Sequence, residues 1–134
     1  MKAGKSSIYR EIENLILWFI PIGNNIPKDF ALRAIGDRML NELMDALVSC
    51  NLALQTKNLN ERLDFINLVK LHITTVQSLS KVLVEYSSRE GNTTRIISYK
   101  QRATLLTSMT SIGSQISRWL TSTQNAALQQ KAFD

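Results

Sequence analysis

Apolar residues recur at three-to-four spacing along most of this chain, a period that predicts helices rather than strands. Ile8, Ile12, Leu15, Ile16 and Phe19 form the first apolar stripe, which predicts a helix from Ser7 to Ile22. Pro21 lacks an N–H and clashes with the carbonyl four residues back, so this helix is expected to kink or stop there. Gly23 suits a left-handed closing turn, and Asn24 and Asn25 suit the corner that follows. Pro27 then fits the first turn of a second helix running to Gln55. Its core stripe is Leu32, Ile35, Met39, Leu43, Ala46, Leu47, Cys50 and Leu54. Met44, Val48 and Leu52 fall on the opposite face of the same helix. A helix apolar on two faces has a second surface to cover, and in a chain this short another subunit is the expected cover. Met44, Val48 and Leu52 are therefore the expected subunit interface.

Asn58 with Glu61 forms a capping-box pattern that opens a third helix, running to Ser87. Phe65, Val69, His72, Val76, Leu79 and Leu83 make its core stripe, while Lys70, Thr74, Gln77 and Lys81 make its polar face. The stretch Ser88 to Ile97, which holds Gly91 and Asn92, reads as a loop. Ser98 with Gln101 is a second capping box, opening a fourth helix to Thr121. Leu105, Met109, Ile112, Ile116 and Leu120 line its core side, and Gly113 is expected to let it approach a neighbour closely. Its other side is nearly all hydroxyls, Thr104, Thr107, Ser111 and Ser114, with Lys100 and Arg118 at either end. Residues 1–6 and 122–134 read as polar tails. The fold expected is all-α: an antiparallel four-helix bundle in one domain, residues 7–121.

Two stretches of this pattern resemble the accessory variability determinant (Avd) family of diversity-generating retroelements. In that family an aromatic-rich first helix ends in a proline, and a hydrophobic-Pro-Lys/Arg step opens a long second helix. Here these are Trp18-Phe19-Ile20-Pro21 and Ile26-Pro27-Lys28. The family's last helix reads hydrophobic-Gly-Arg-x-hydrophobic-Gly-x-Trp-hydrophobic, and this chain reads Ile112-Gly113-Ser114-Gln115-Ile116-Ser117-Arg118-Trp119-Leu120. The resemblance covers residues 8–121. It implies a four-helix bundle assembled into a basic homopentameric barrel that binds a reverse transcriptase and contacts nucleic acid. Lys70 stands at the first basic position of the family's third-helix pattern, but Thr74 replaces the second and Ser114 replaces the usual fourth-helix Arg. Those departures move the expected nucleic-acid contacts toward Arg95, Lys100 and Arg102. A bundle of the type encoded within ribosomal RNA intervening sequences is the alternative, though that group's Ser-hydrophobic-Pro-x-Asn-Ile-Ala-Glu-Gly signature is absent. A structural interaction module whose charge serves only solubility is another.

Charge sharpens this picture. The 134 residues carry a formal net charge of +5, unevenly distributed. Residues 1–45 hold six basic and six acidic side chains, whereas residues 86–134 hold six basic against two acidic. A basic final third favours a polyanionic partner. The candidate nucleic-acid-binding residues are Lys70, Lys81, Arg95, Lys100, Arg102 and Arg118, with RNA or DNA bound in a sequence-tolerant way. A single cysteine cannot form an internal disulfide, and the longest apolar run is too short to span a bilayer, so a cytoplasmic location is expected.

Catalytic chemistry is sparse. His72 sits on an apolar stripe and is expected to be a hydrogen-bonded core or interface histidine. No Glu-x-x-His pair of the kind that builds di-iron bundles exists, so no metal or other cofactor is expected. Asp37, Glu42 and Asp45 are expected to circle the second helix rather than converge, which removes a general acid–base pair. Cys50 on the core stripe behaves as a small hydrophobe. The scattered glycines build no phosphate-cradling loop. The reading is of a non-enzymatic protein.

Overall fold

A computed structural model describes residues 7–26, 29–89 and 97–133, and shows four helices: α1 (Ser7–Asn24), α2 (Phe30–Gln55), α3 (Leu59–Arg89) and α4 (Tyr99–Phe133). Among the described residues there is no strand, and no helix is long and apolar enough to cross a membrane. Packing closes a ring: α2 lies on α1 and α3, and α4 lies on α3 and α1. Three pairs fix the direction of α2 against α3. Asp29 meets Tyr86, Glu42 meets His72, and the Thr56 carbonyl meets Arg62, so residue numbers rise on one helix as they fall on the other.

Each element has a local cause. The Asp29 carboxylate caps α2, accepting from the Ala31 and Leu32 N–H groups at 3.0 and 3.2 Å. This N-cap places the start of α2 at Phe30, three residues later than Pro27 would; Pro27 and Lys28 themselves lie outside the described residues. At the α2–α3 corner, Thr56 donates through both N–H and hydroxyl to the Leu52 carbonyl. Arg62 then grips the Thr56 carbonyl with Nε and Nη2, at 3.1 and 2.7 Å. Asn58 Oδ1 accepts from the Glu61 N–H, as its capping role requires. Ser98 and Gln101 complete the full reciprocal box at the start of α4.

The core is one cluster drawn from all four helices. Ile12, Phe19, Met39, Leu43, Ile66, Val69, Val76, Leu83 and Ile112 are fully buried. Each such side chain contributes roughly 1.5–3 kcal/mol through removal from water. The α3 stripe is centred one position away from its sequence reading. Ile66, Ile73 and Ser80 are buried, while Phe65, His72 and Leu79 are only half-buried on the flank turned toward α2. The Ser80 hydroxyl is satisfied by the Gln77 carbonyl at 2.7 Å.

Several expectations are corrected. Pro21 does not end α1, which continues to Asn24. At about 100° per residue Pro21 stands opposite the buried stripe, so its ring and the carbonyl it frees face solvent. Gly23 stays helical, and the chain leaves α1 through Asn25 and Ile26 N–H bonds to the Ile22 and Gly23 carbonyls. Leu54 is exposed because α2 outruns α1: the α1 helix has 18 residues and α2 has 26, or about 27 Å against 39 Å. Ser88 and Arg89 belong to α3, and Ile97 is buried rather than part of an open loop; residues 90–96 lie outside the described residues, as do 1–6. A Cβ placed at Gly113 would meet no atom within 4 Å, so this glycine permits no close approach to another helix of the bundle. The largest correction is α4, which runs on to Phe133 instead of stopping at Thr121. Its extension is rich in Ala, Gln and Leu, good helix formers with no Gly or Pro to stop them. It also buries Thr123 and sets Gln124 and Leu128 beside Asn58 and Leu63 at the start of α3.

Candidate nucleic-acid interface

The bundle places the five described candidate cations around α4 rather than on one face. Lys70 and Lys81 are exposed on the flank of α3 opposite Glu42-bonded His72, which is the flank turned toward α4. Arg102 is exposed on the matching flank of α4. Lys100 and Arg118 lie on the other flank, where Ser111 and Gln115 reach Glu11 of α1. The 18 positions between them correspond to about 27 Å of helix. Arg95 lies outside the described residues.

These cations differ in how free they are. Arg118 Nη1 donates to the Ser114 hydroxyl at 2.9 Å, which orients it along the helix. Lys70, Lys81, Lys100 and Arg102 make no ion pair with a described carboxylate; Arg38, by contrast, is held by Glu42 at 3.0 Å. The hydroxyl row splits in two. Ser111 donates to Glu11 at 2.6 Å and so belongs to the α1–α4 contact. Thr104, Thr107 and Ser114 stay exposed between Lys100 and Arg118, with the Thr104 hydroxyl turned back to the Lys100 carbonyl at 3.1 Å. Lys131 near the end of α4 is a fourth cation on that helix, in the stretch that the sequence reads as a tail.

A second surface lies on α2. Met44, Val48 and Leu52 are 42 %, 59 % and 39 % exposed, so the apolar strip expected from the sequence is open to solvent in the single chain. Leu68 and Leu71 of α3 and Leu17 of α1 are exposed as well.

Between α2 and α3 the acids do converge, contrary to expectation. Glu42 and Asp45, three residues apart, share a face of α2, and His72 comes to meet them from α3. His72 Nδ1 lies 2.9 Å from Glu42 Oε1, while Arg38 Nε holds Oε2. These partners, His72 foremost, hold the Glu42 carboxyl below its ordinary pKa, against an opposing effect of burial. The sequence reading missed this group because its members are split between two helices. Cys50 is buried, and desolvation pushes its thiol up to about 12, so it stays protonated and unreactive at neutral pH.

Comparison with protein-family models, with curated proteins and with solved structures finds no match.

Proposed function

We propose that this chain is a non-enzymatic accessory subunit of a diversity-generating retroelement, which assembles with copies of itself and holds template RNA beside the reverse transcriptase. The observation that carries this reading is α4. Its 35 residues include Lys100, Arg102, Arg118 and Lys131 and not one Asp or Glu. At 1.5 Å per residue that is about 52 Å of cation-bearing helix, a length suited to following a polyanion rather than gripping one phosphate. The resemblance of Trp18-Phe19-Ile20-Pro21, Ile26-Pro27-Lys28 and the Gly113–Trp119 stretch to Avd supplies the partner and the pentameric assembly. Assembly through Met44, Val48 and Leu52 would repeat the α4 face around a ring, and repetition turns weak single contacts into useful affinity.

The decisive experiment is RNA binding by the full chain across a salt series. Affinity is expected to fall steeply with salt, with the log–log slope reduced by roughly 0.7 for each single-strand phosphate contact removed. Replacing Lys100 and Arg118 together with Gln is expected to weaken binding to all sequences about equally, because neither reads a base edge. No binding at physiological salt would leave the charge serving only solubility. Co-purification with the retroelement's reverse transcriptase tests the protein partner separately.

A further inference from the structure

Glu42, Asp45 and His72 offer one ligand atom each, and these three atoms all lie within 4.8 Å of one another. We propose that they form a binding site for a divalent transition-metal ion, best suited to Zn(II), with three protein ligands and an open fourth position. The set is not a solvated acidic patch: Glu42 and His72 side chains are only 12 % and 18 % exposed, and an imidazole supplies one donor. Zinc takes His nitrogen and carboxylate oxygen at about 2.0–2.2 Å in tetrahedral geometry, which puts neighbouring ligand atoms about 3.3 Å apart. His72 Nδ1 and Glu42 Oε1 already stand at 2.9 Å, so that pair needs only a slight opening. Asp45 is exposed and has side-chain freedom to close the remaining distance.

The surroundings suit the role. Arg38 Nε occupies Glu42 Oε2 at 3.0 Å, which fixes the carboxylate and leaves Oε1 as the single donor oxygen. Such an outer partner is what orients a metal ligand. A bound ion would replace the Nδ1···Oε1 hydrogen bond: Nδ1 ligates as the neutral Nε2–H tautomer, Oε1 as carboxylate, and the proton that joined the pair moves to Nε2 or is released to solvent. Imidazole and so few oxygens disfavour Mg(II) and Ca(II), which want six or more oxygen ligands including water. Glu42 and Asp45 belong to α2 and His72 to α3, so a bound ion clamps the two helices at mid-length. Because the site exists only when the bundle is folded, occupancy stabilises the fold by mass action. The site lies on the α2 side of α3, away from Lys70 and Lys81, and it stands independently of the nucleic-acid reading.

The test uses the untagged full chain, stripped with a chelator and titrated with Zn(II) by calorimetry, with Co(II) absorption as a report on geometry. One equivalent per chain is expected, with a raised thermal midpoint and a visible Co(II) band of tetrahedral intensity. His72→Asn and Asp45→Asn are each expected to weaken binding by more than the roughly tenfold that even an outer-sphere partner can cost. Asp45 is exposed and makes no hydrogen bond to a described residue, so its variant is expected to fold as the parent does. Asp37→Asn, an exposed acid on another face of α2, is expected to bind as the parent does. Zn(II) binding that is equal in the parent and both ligand variants, or absent from the parent, overturns the proposal.

Discussion

Glu11 on α1 accepts a hydrogen bond from the Ser111 hydroxyl on α4 at 2.6 Å, joining residues 100 positions apart. Gln115 of α4 donates to the other oxygen of the same carboxylate. A half-buried acid with two donors from one neighbouring helix seals the α1–α4 seam, the least extensive of the four. Glu11→Ala leaves both donors without their acceptor; a hydrogen bond to a charged group contributes about 1.5–3 kcal/mol net of exchange with water, less where, as here, the seam is only part-buried. The expected loss is about 1–3 kcal/mol, read as a lower urea midpoint at unchanged slope. An unchanged midpoint would mean that water replaces the carboxylate at no cost.

The Glu42–His72 contact predicts how stability depends on acid. Glu42 is held below its ordinary pKa by His72 first and Arg38 after it. A depressed carboxyl binds protons less readily in the folded state than in the unfolded one. Its contribution is therefore complete above the ordinary glutamate range and is lost as pH falls through the depressed folded value. Comparing urea unfolding at about pH 6 and about pH 3.5 in the parent and in Glu42→Gln isolates it. The parent is expected to lose more stability on acidification than the variant. Equal losses in the two proteins would refute the assignment.

Two glycines separate crowding from open space. A Cβ at Gly113 meets nothing within 4 Å, whereas one at Gly36 comes within 2.6 Å of Ile26 Cδ1. Gly113→Ala is expected to stabilise the bundle by about 0.5–1 kcal/mol, the gain in helix propensity. Gly36→Leu, in contrast, forces Ile26 out of its buried place and is expected to cost roughly 1–3 kcal/mol. Thermal unfolding of the pair ranks them; a destabilised Gly113→Ala would restore the close approach that the structure removes.

Assembly is expected to depend on the α2 strip. Val48 is 59 % exposed at the centre of Met44, Val48 and Leu52, so Val48→Glu places a charge in any contact made there. Sedimentation of the parent is expected to give a species several times its 15.2 kDa chain mass, and the variant a single chain. A parent that sediments as one chain at micromolar concentration ends the assembly reading.

Most of the architecture was determined by the sequence itself. The three-to-four period of Ile12, Leu15 and Phe19, the Asn58 cap and the Ser98–Gln101 box state locally where helices lie, because each depends on residues within one or two turns. The same holds for the exposure of Met44, Val48 and Leu52, which follows from register alone. Helix ends were less legible. Pro21 carries a breaker's chemistry, but only the packing of α1 shows that its ring faces solvent, where a helix tolerates it. The stretch after Thr121 lacks a strong apolar stripe, and its helix is decided by Thr123 and the neighbouring start of α3. The site chemistry was the least legible part. Glu42, Asp45 and His72 converge only because α2 and α3 run antiparallel in a register that sequence spacing does not encode. Likewise, periodicity sets Lys100 and Arg118 on one side of α4 and Arg102 on another, while tertiary packing alone brings Lys70 and Lys81 of α3 to the Arg102 flank and α1 to the other.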